Sequence, residues 1–263
     1  MLNINLGEIS VFQFNNLSGF EKLRHFITCR NTRNNNEFSL SISSATDKEV
    51  NLQNRILLAN SLNISENNFV FQQQEHSCNI KVIDSRHKGF GFYDHREAIP
   101  VNDAMITNCE NICLVAMGAD CVPILIYDPE NKAIGAVHAG WRGTAQSIAY
   151  ETVKKMEIHF SSKPENLIAA IGPSIGPEVY EVDMPVYNSF LKSYRYCNEI
   201  FKPLENGKFL LDLWKANKNQ LSEAGLPEKN IEISGLCTYS NHHLFFSSRK
   251  GDKGRFAAGI MLQ

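Results

Sequence analysis

No excess of either charge runs through this chain: 26 lysines and arginines face 28 aspartates and glutamates, a formal net charge of −2. That balance removes the electrostatic footprint of a nucleic-acid or anionic-membrane binder. The opening residues, MLNINLGEIS, lack a basic segment followed by an apolar one, so they do not read as a secretion signal. Long apolar runs are missing too. The most apolar window, residues 112–127, is broken by Asp120 and is too short to span a bilayer. No two of the seven cysteines form a Cys-x-x-Cys pair, and the count is odd. Both facts argue for a reducing cytoplasm, with thiols free or metal-bound. What remains is an ordinary globular composition, 43% hydrophobic and 21% charged, in 263 residues, enough for a large core.

Residues 118–143, GADCVPILIYDPENKAIGAVHAGWRG, organise the rest. Residues 122–127 are an apolar run suited to a strand, residues 128–131 a turn cluster, and residues 133–137 the return strand. Cys121 opens the first strand and His138 closes the second. An antiparallel hairpin places them side by side at one edge. The glycine-flanked turn that follows leads into an expected helix over 144–160, with Ala145, Ile148, Ala149, Val153, Met156 and Phe160 on one stripe. Elsewhere, strands are expected at 9–14, 25–29, 38–42, 69–71, 80–83, 104–107, 112–116, 167–171, 231–234 and 256–262. Helices are expected at 48–62, 182–196 and 210–224. Residues 84–103 and 247–254 read as polar surface loops. With no repeat, linker or composition break, one mixed α/β domain over 1–263 is expected.

A thiolate and an imidazole converging on one edge make either a metal site or a nucleophile–base pair. His76, in the polar stretch QQQEHSC between two strands, is the best third donor; His87 and His95 compete with it. His159, His242 and His243 read as surface or edge residues. Two histidines and one cysteine leave a tetrahedral position open, the pattern of catalytic rather than structural zinc. The same set also suits a blue-copper site. In HAGWRG, closely packed backbone N–H groups and the forked cation of Arg142 suit an anion.

These motifs resemble the YfiH or laccase-domain family, also called the multicopper polyphenol oxidoreductase or purine nucleoside phosphorylase family. The resemblance covers nearly the whole chain. It rests on GADCVPILIYDP and IGAVHAGWRGT, on Ile171–Pro177 with Tyr180-Glu181-Val182, and on Leu211-Asp212-Leu213. CTYSNHHLFFSSRKGDKGR, Asn54-Arg55 and Gln74-Glu75-His76-Ser77 complete it. The resemblance implies zinc held by His76, Cys121 and His138. It implies a mixed-sheet α/β/β/α sandwich, shared with deamidase toxins of the cytotoxic necrotizing factor type. It also implies phosphorolysis of adenosine, inosine and S-methyl-5′-thioadenosine, with adenosine deamination. Ser77 stands where the family has glycine, and Met117-Gly118 replace the usual pair before Ala-Asp-Cys. Within that frame Glu75 is the candidate acid–base group and Arg142, joined by Arg55, the phosphate holder. Asp212 either orients a ligand or caps a helix. The partners expected are a purine nucleoside and phosphate, taken by a monomer or homodimer without nucleic acid or membrane.

Three other readings stand beside this one. A copper polyphenol oxidase would need paired His-x-His ligands, and eight histidines here include none. A cysteine hydrolase would use Cys121 as nucleophile and His138 as base. A binding module would keep the metal and turn over nothing.

Overall fold

The computed structural model describes residues 1–43, 47–192 and 197–263. Its centre is a pair of six-stranded sheets packed face to face. The first runs in the order Leu2–Leu6, Ile9–Gln13, Leu23–Thr28, Phe256–Leu262, Cys113–Gly118, Phe69–Val70. The second runs Ile231–Ile233, Ile168–Ile171, Val122–Asp128, Ala133–Ala139, Ala104–Thr107, Ile80–Val82. The two stack because each turns one apolar face inward: Leu114, Leu125, Ala136, Ala258 and Ile260, drawn from both sheets, share one buried layer. Helix Lys48–Leu62 covers the outer face of the first sheet through Leu58 and Ala59. Helices Trp141–Ala145, Ile148–Phe160 and Leu213–Glu223 cover the outer face of the second. The result is the expected α/β/β/α sandwich, with a small third sheet of Glu181–Val182, Phe209–Leu211 and Phe201–Pro203 beside it.

Both faces of the second sheet are covered, so its central strands carry no polar–apolar alternation. Val122–Asp128 and Ala133–Ala139 are buried at every position. Asp128 closes their turn by accepting from the N–H groups of Glu130 and Asn131, both at 3.0 Å. The strands pair antiparallel, with Val122 opposite Ala139 and Pro123 opposite His138. Cys121 and His138 therefore do share an edge.

Several sequence expectations shift. Residues 38–42 are buried but form no strand ladder; Leu40 instead donates its N–H to the Arg255 carbonyl. The helix expected over 144–160 is two helices, Trp141–Ala145 and Ile148–Phe160, broken at Ser147 with φ +64°. Gln220 fills the break: its amide donates to the Thr144 carbonyl at 2.6 Å and accepts from Ala149 N–H at 3.2 Å. Such a plug comes from a distant helix and leaves no local sign. The expected helix over 182–196 is Met184–Leu191, preceded by the strand Glu181–Val182, and residues 193–196 lie outside the described residues. The helix expected from 210 starts at Leu213, because Asp212 caps it and residues before Asp212 pair as a strand. No described helix is long and apolar enough to cross a membrane.

Candidate metal centre

His138 ends a central strand, and the neighbouring strand Ala104–Thr107 pairs with it so that Ala104 lies opposite Val137. One step earlier, Asp103 meets His138 twice. Its carbonyl accepts the His138 backbone N–H at 2.7 Å, and its carboxylate engages Nδ1 at 2.8 Å. With Nδ1 engaged, Nε2 is the nitrogen left for chemistry. The same carboxylate, fully buried, accepts from three successive N–H groups, those of Glu75, His76 and Ser77, at 3.2, 3.1 and 2.6 Å. Ser77 Oγ donates to it at 2.7 Å. This anion-filled backbone nest holds His76 in the left-handed region at φ +59°, a conformation that surrounding structure must impose. Serine at 77 is accommodated because the positive φ falls on His76 and the hydroxyl adds a bond.

One carboxylate thus positions two histidines against Cys121. The ligand atoms of His76, Cys121 and His138 all lie within 4.8 Å of one another, and His76 Nε2 stands 3.6 Å from Cys121 Sγ. Zinc–nitrogen and zinc–sulfur bonds of usual length at a tetrahedral angle separate N and S by about 3.6 Å. The donor set therefore fits an ion of that size. Gly140 makes room for it: a Cβ there would stand 2.7 Å from His76 Cδ2 and 3.0 Å from Cys121 Sγ. Burial alone would push the Cys121 thiol up, but the His138 and His76 rings pull it down to about 6. Burial likewise opposes a charged His138, yet the Cys121 sulfur and the Asp103 carboxylate raise it to about 9. Burial also works against ionised Asp103, while its bonds from His138 and Ser77 leave it below the usual carboxylate range. Without an ion this is a thiolate facing an imidazolium; a metal would take up the thiolate and displace the Nε2 proton of His138, leaving Asp103 on Nδ1.

The cluster opens into a cavity of about 620 Å³. Asp120, beside the sulfur, is locked at φ +88° by bonds from Thr238 Oγ1 at 2.6 Å and Arg249 N–H at 2.7 Å. Arg249, Arg255, Ser248 and Tyr180 line the wall, with His95 among the lining residues. His87 is elsewhere, hydrogen-bonded to the Asp84 N–H. The remaining sequence candidates divide differently. Arg55 is 1% exposed and does not line the cavity; it donates to the carbonyls of Leu40, Gly91 and Phe92 at 2.6 to 2.8 Å. Arg142 is exposed on the outer side, stacked over Trp141 at 4.2 Å. Asp212 caps its helix, accepting from Lys215 N–H at 2.8 Å. Glu75 is exposed, its N–H given to Asp103. Asp103 itself, the organising group, sits at the end of the stretch read from sequence as a surface loop. Only the non-local pairing of 104 with 137 would have revealed it.

The fold and this cluster define a mixed α/β sandwich carrying a three-donor His–Cys–His centre at one sheet edge. A family model described as multi-copper polyphenol oxidoreductase laccase matches residues 24–263. The chain belongs to that family. It is 35% identical over 256 residues, 95% of each chain, to a purine nucleoside phosphorylase of Bacteroides thetaiotaomicron. It is 34% identical over 212 residues, 80% of each chain, to an adenosine deaminase RL5 from an unknown prokaryotic organism. The crystal structure of YlmD from Geobacillus stearothermophilus superposes with a TM-score of 0.91 at 29% identity, covering 99% of this chain and 98% of that one.

Proposed function

We propose that this protein is a zinc-dependent purine nucleoside phosphorylase acting on adenosine, inosine and S-methyl-5′-thioadenosine, with adenosine deaminase activity. The observation that carries the reading is the meeting of His76, Cys121 and His138 within 4.8 Å at the mouth of a cavity lined by two arginines. Relatives named for both reactions support it.

Zinc bound there supplies Lewis-acid polarisation. The chain's own groups do the rest. Asp103 holds the His138 tautomer and the His76 backbone, so both rings face the cavity without reorganisation. Arg249 and Arg255, rather than Arg142 or Arg55, are assigned to the phosphate, because they line the cavity with Ser248. Glu75, the acid–base candidate from sequence, is exposed and does not line the cavity, so proton transfer is not assigned to it. Asp212 is assigned to helix capping.

Adenosine and phosphate supplied together should yield adenine, ribose 1-phosphate and inosine. Cys121→Ala should lose both metal and turnover; undiminished turnover in that variant refutes the reading. A second reading has its own observation: Cys121, His138 and Asp103 stand in the order of a nucleophile, base and orienting acid. It predicts that metal-free protein keeps hydrolytic activity until Cys121 is alkylated.

A further inference from the structure

Gln72 is 1% exposed and lines the cavity, and neither its amide nitrogen nor its amide oxygen has a hydrogen-bond partner among the described residues. Its neighbours make that exceptional. In the extended stretch leading to His76 the side chains alternate, and Gln72, Gln74 and His76 all line the cavity while Gln73 and Glu75 do not. The Gln74 amide is fully used: it donates to the Met117 carbonyl and accepts from the Met117 N–H, both at 2.8 Å. The backbone around Gln72 is fixed as well, with Ile99 bonded to Phe71 at 3.0 Å and to Gln73 at 2.8 Å. Only the Gln72 amide is left over in this stretch. Buried amides find partners, because one without any loses its hydration uncompensated.

We infer that Gln72 is a recognition residue of this site, its amide turning into the cavity to pair with an uncharged edge of the nucleoside that offers a donor and an acceptor side by side. The inference rests on the nucleoside reading above. Gln72 lies four residues from His76, so their Cα atoms are at most about 14 Å apart. One ligand of nucleoside size can therefore touch both the metal centre and this amide. A neutral amide suits a base edge or paired ribose hydroxyls and not the phosphate, which the arginines serve. Presenting it takes a change of rotamer about χ1 or χ2, since the terminal torsion alone only exchanges the amide nitrogen and oxygen.

The test is Gln72→Met, which keeps the unbranched shape without the polar atoms, with Gln72→Leu as a second apolar variant. In zinc-loaded protein and phosphate-free buffer, binding is measured by calorimetry for inosine, 7-deazainosine, 1-methylinosine, 2′-deoxyinosine and 5′-deoxyinosine. The variant is expected to bind inosine about 10-fold more weakly. The deficit should vanish against the one analogue lacking the contacted group, which identifies base or sugar. Without ligand, the variant's thermal midpoint should rise by about 3–6 °C as the orphan amide is removed. Unchanged inosine affinity, or a midpoint lowered in both variants, overturns the inference. Wild-type protein that binds no nucleoside overturns the functional reading and this inference together, whereas wild-type binding with an unaffected variant overturns only the latter.

Discussion

Asp103 and Asp252 each hold a histidine ring, at 2.8 and 2.7 Å, yet only one of the two pairs belongs to the His–Cys–His cluster. Asp252 is neutralised by Arg30 at 2.9 Å and accepts from Ser247 N–H at 2.8 Å. His242 meets it through Nε2, the same nitrogen that lies 2.6 Å from Arg30. That cluster fastens the loop carrying Ser248 and Arg249, and neither His242 nor Asp252 lines the cavity. Asp103 has no lysine or arginine bonded to it among the described residues; its buried charge is met by backbone N–H groups, a hydroxyl and the Nδ1 of His138. The other nitrogen then faces a sulfur. What separates an orienting pair from a fastening pair is where the second ring nitrogen points and whether another charge has already claimed the carboxylate.

The sharpest way to break that contrast is to neutralise each carboxylate. Asp103→Asn should lower metal affinity 10- to 100-fold and destabilise the fold by roughly 3–5 kcal/mol. Asp252→Asn should leave metal content unchanged. Metal titration alongside chemical denaturation of both variants checks this, and equal metal loss in the two would erase the distinction.

His25 sharpens it from a third side, being buried with no carboxylate bonded to its ring among the described residues. Its Nε2 accepts the Phe14 N–H at 2.8 Å, and burial holds it down at about 4, against an ordinary 6.5. The folded state thus resists a proton that the unfolded chain accepts. Stability is full above pH 6.5 and falls as the pH drops toward 4, by about 3 kcal/mol in all. Thermal melts from pH 7 to 4 should show this slope, and His25→Gln should flatten it.

Smaller effects come from the packing around the centre. Gly140→Ala forces a Cβ against His76 and Cys121, and should cost about 1–3 kcal/mol in stability and reduce metal loading. Its equilibrium unfolding and metal stoichiometry measure both. Arg142→Ala should change stability by less than about 0.5 kcal/mol, since the guanidinium is exposed over Trp141, and should leave the phosphate KM unchanged. A large rise in that KM would return the anion to the HAGWRG turn.

The hairpin was legible in the sequence because its chemistry is local: an unbroken apolar run, a turn of Asp-Pro-Glu-Asn and a return strand state their own pairing. The helix Lys48–Leu62 was legible for the same reason. Asp103 and Gln220 were not. Each acquires its role from a partner strand or helix tens of residues away, and polar residues in polar stretches look solvated until that partner is known. The arginines divided on the same ground. Arg55 sits in a helix with several polar neighbours, and only the fold shows carbonyls of residues 40, 91 and 92 consuming its donors.

The central claim is that His76, Cys121 and His138 hold one ion and leave a position open. X-ray absorption at the zinc edge of the purified protein measures that coordination directly. The account predicts one zinc per chain with one sulfur, two imidazole nitrogens and one light exchangeable donor, lost in Cys121→Ala. A zinc shell without sulfur, a shell closed by four protein donors, or a spectrum unaltered by the substitution would contradict it.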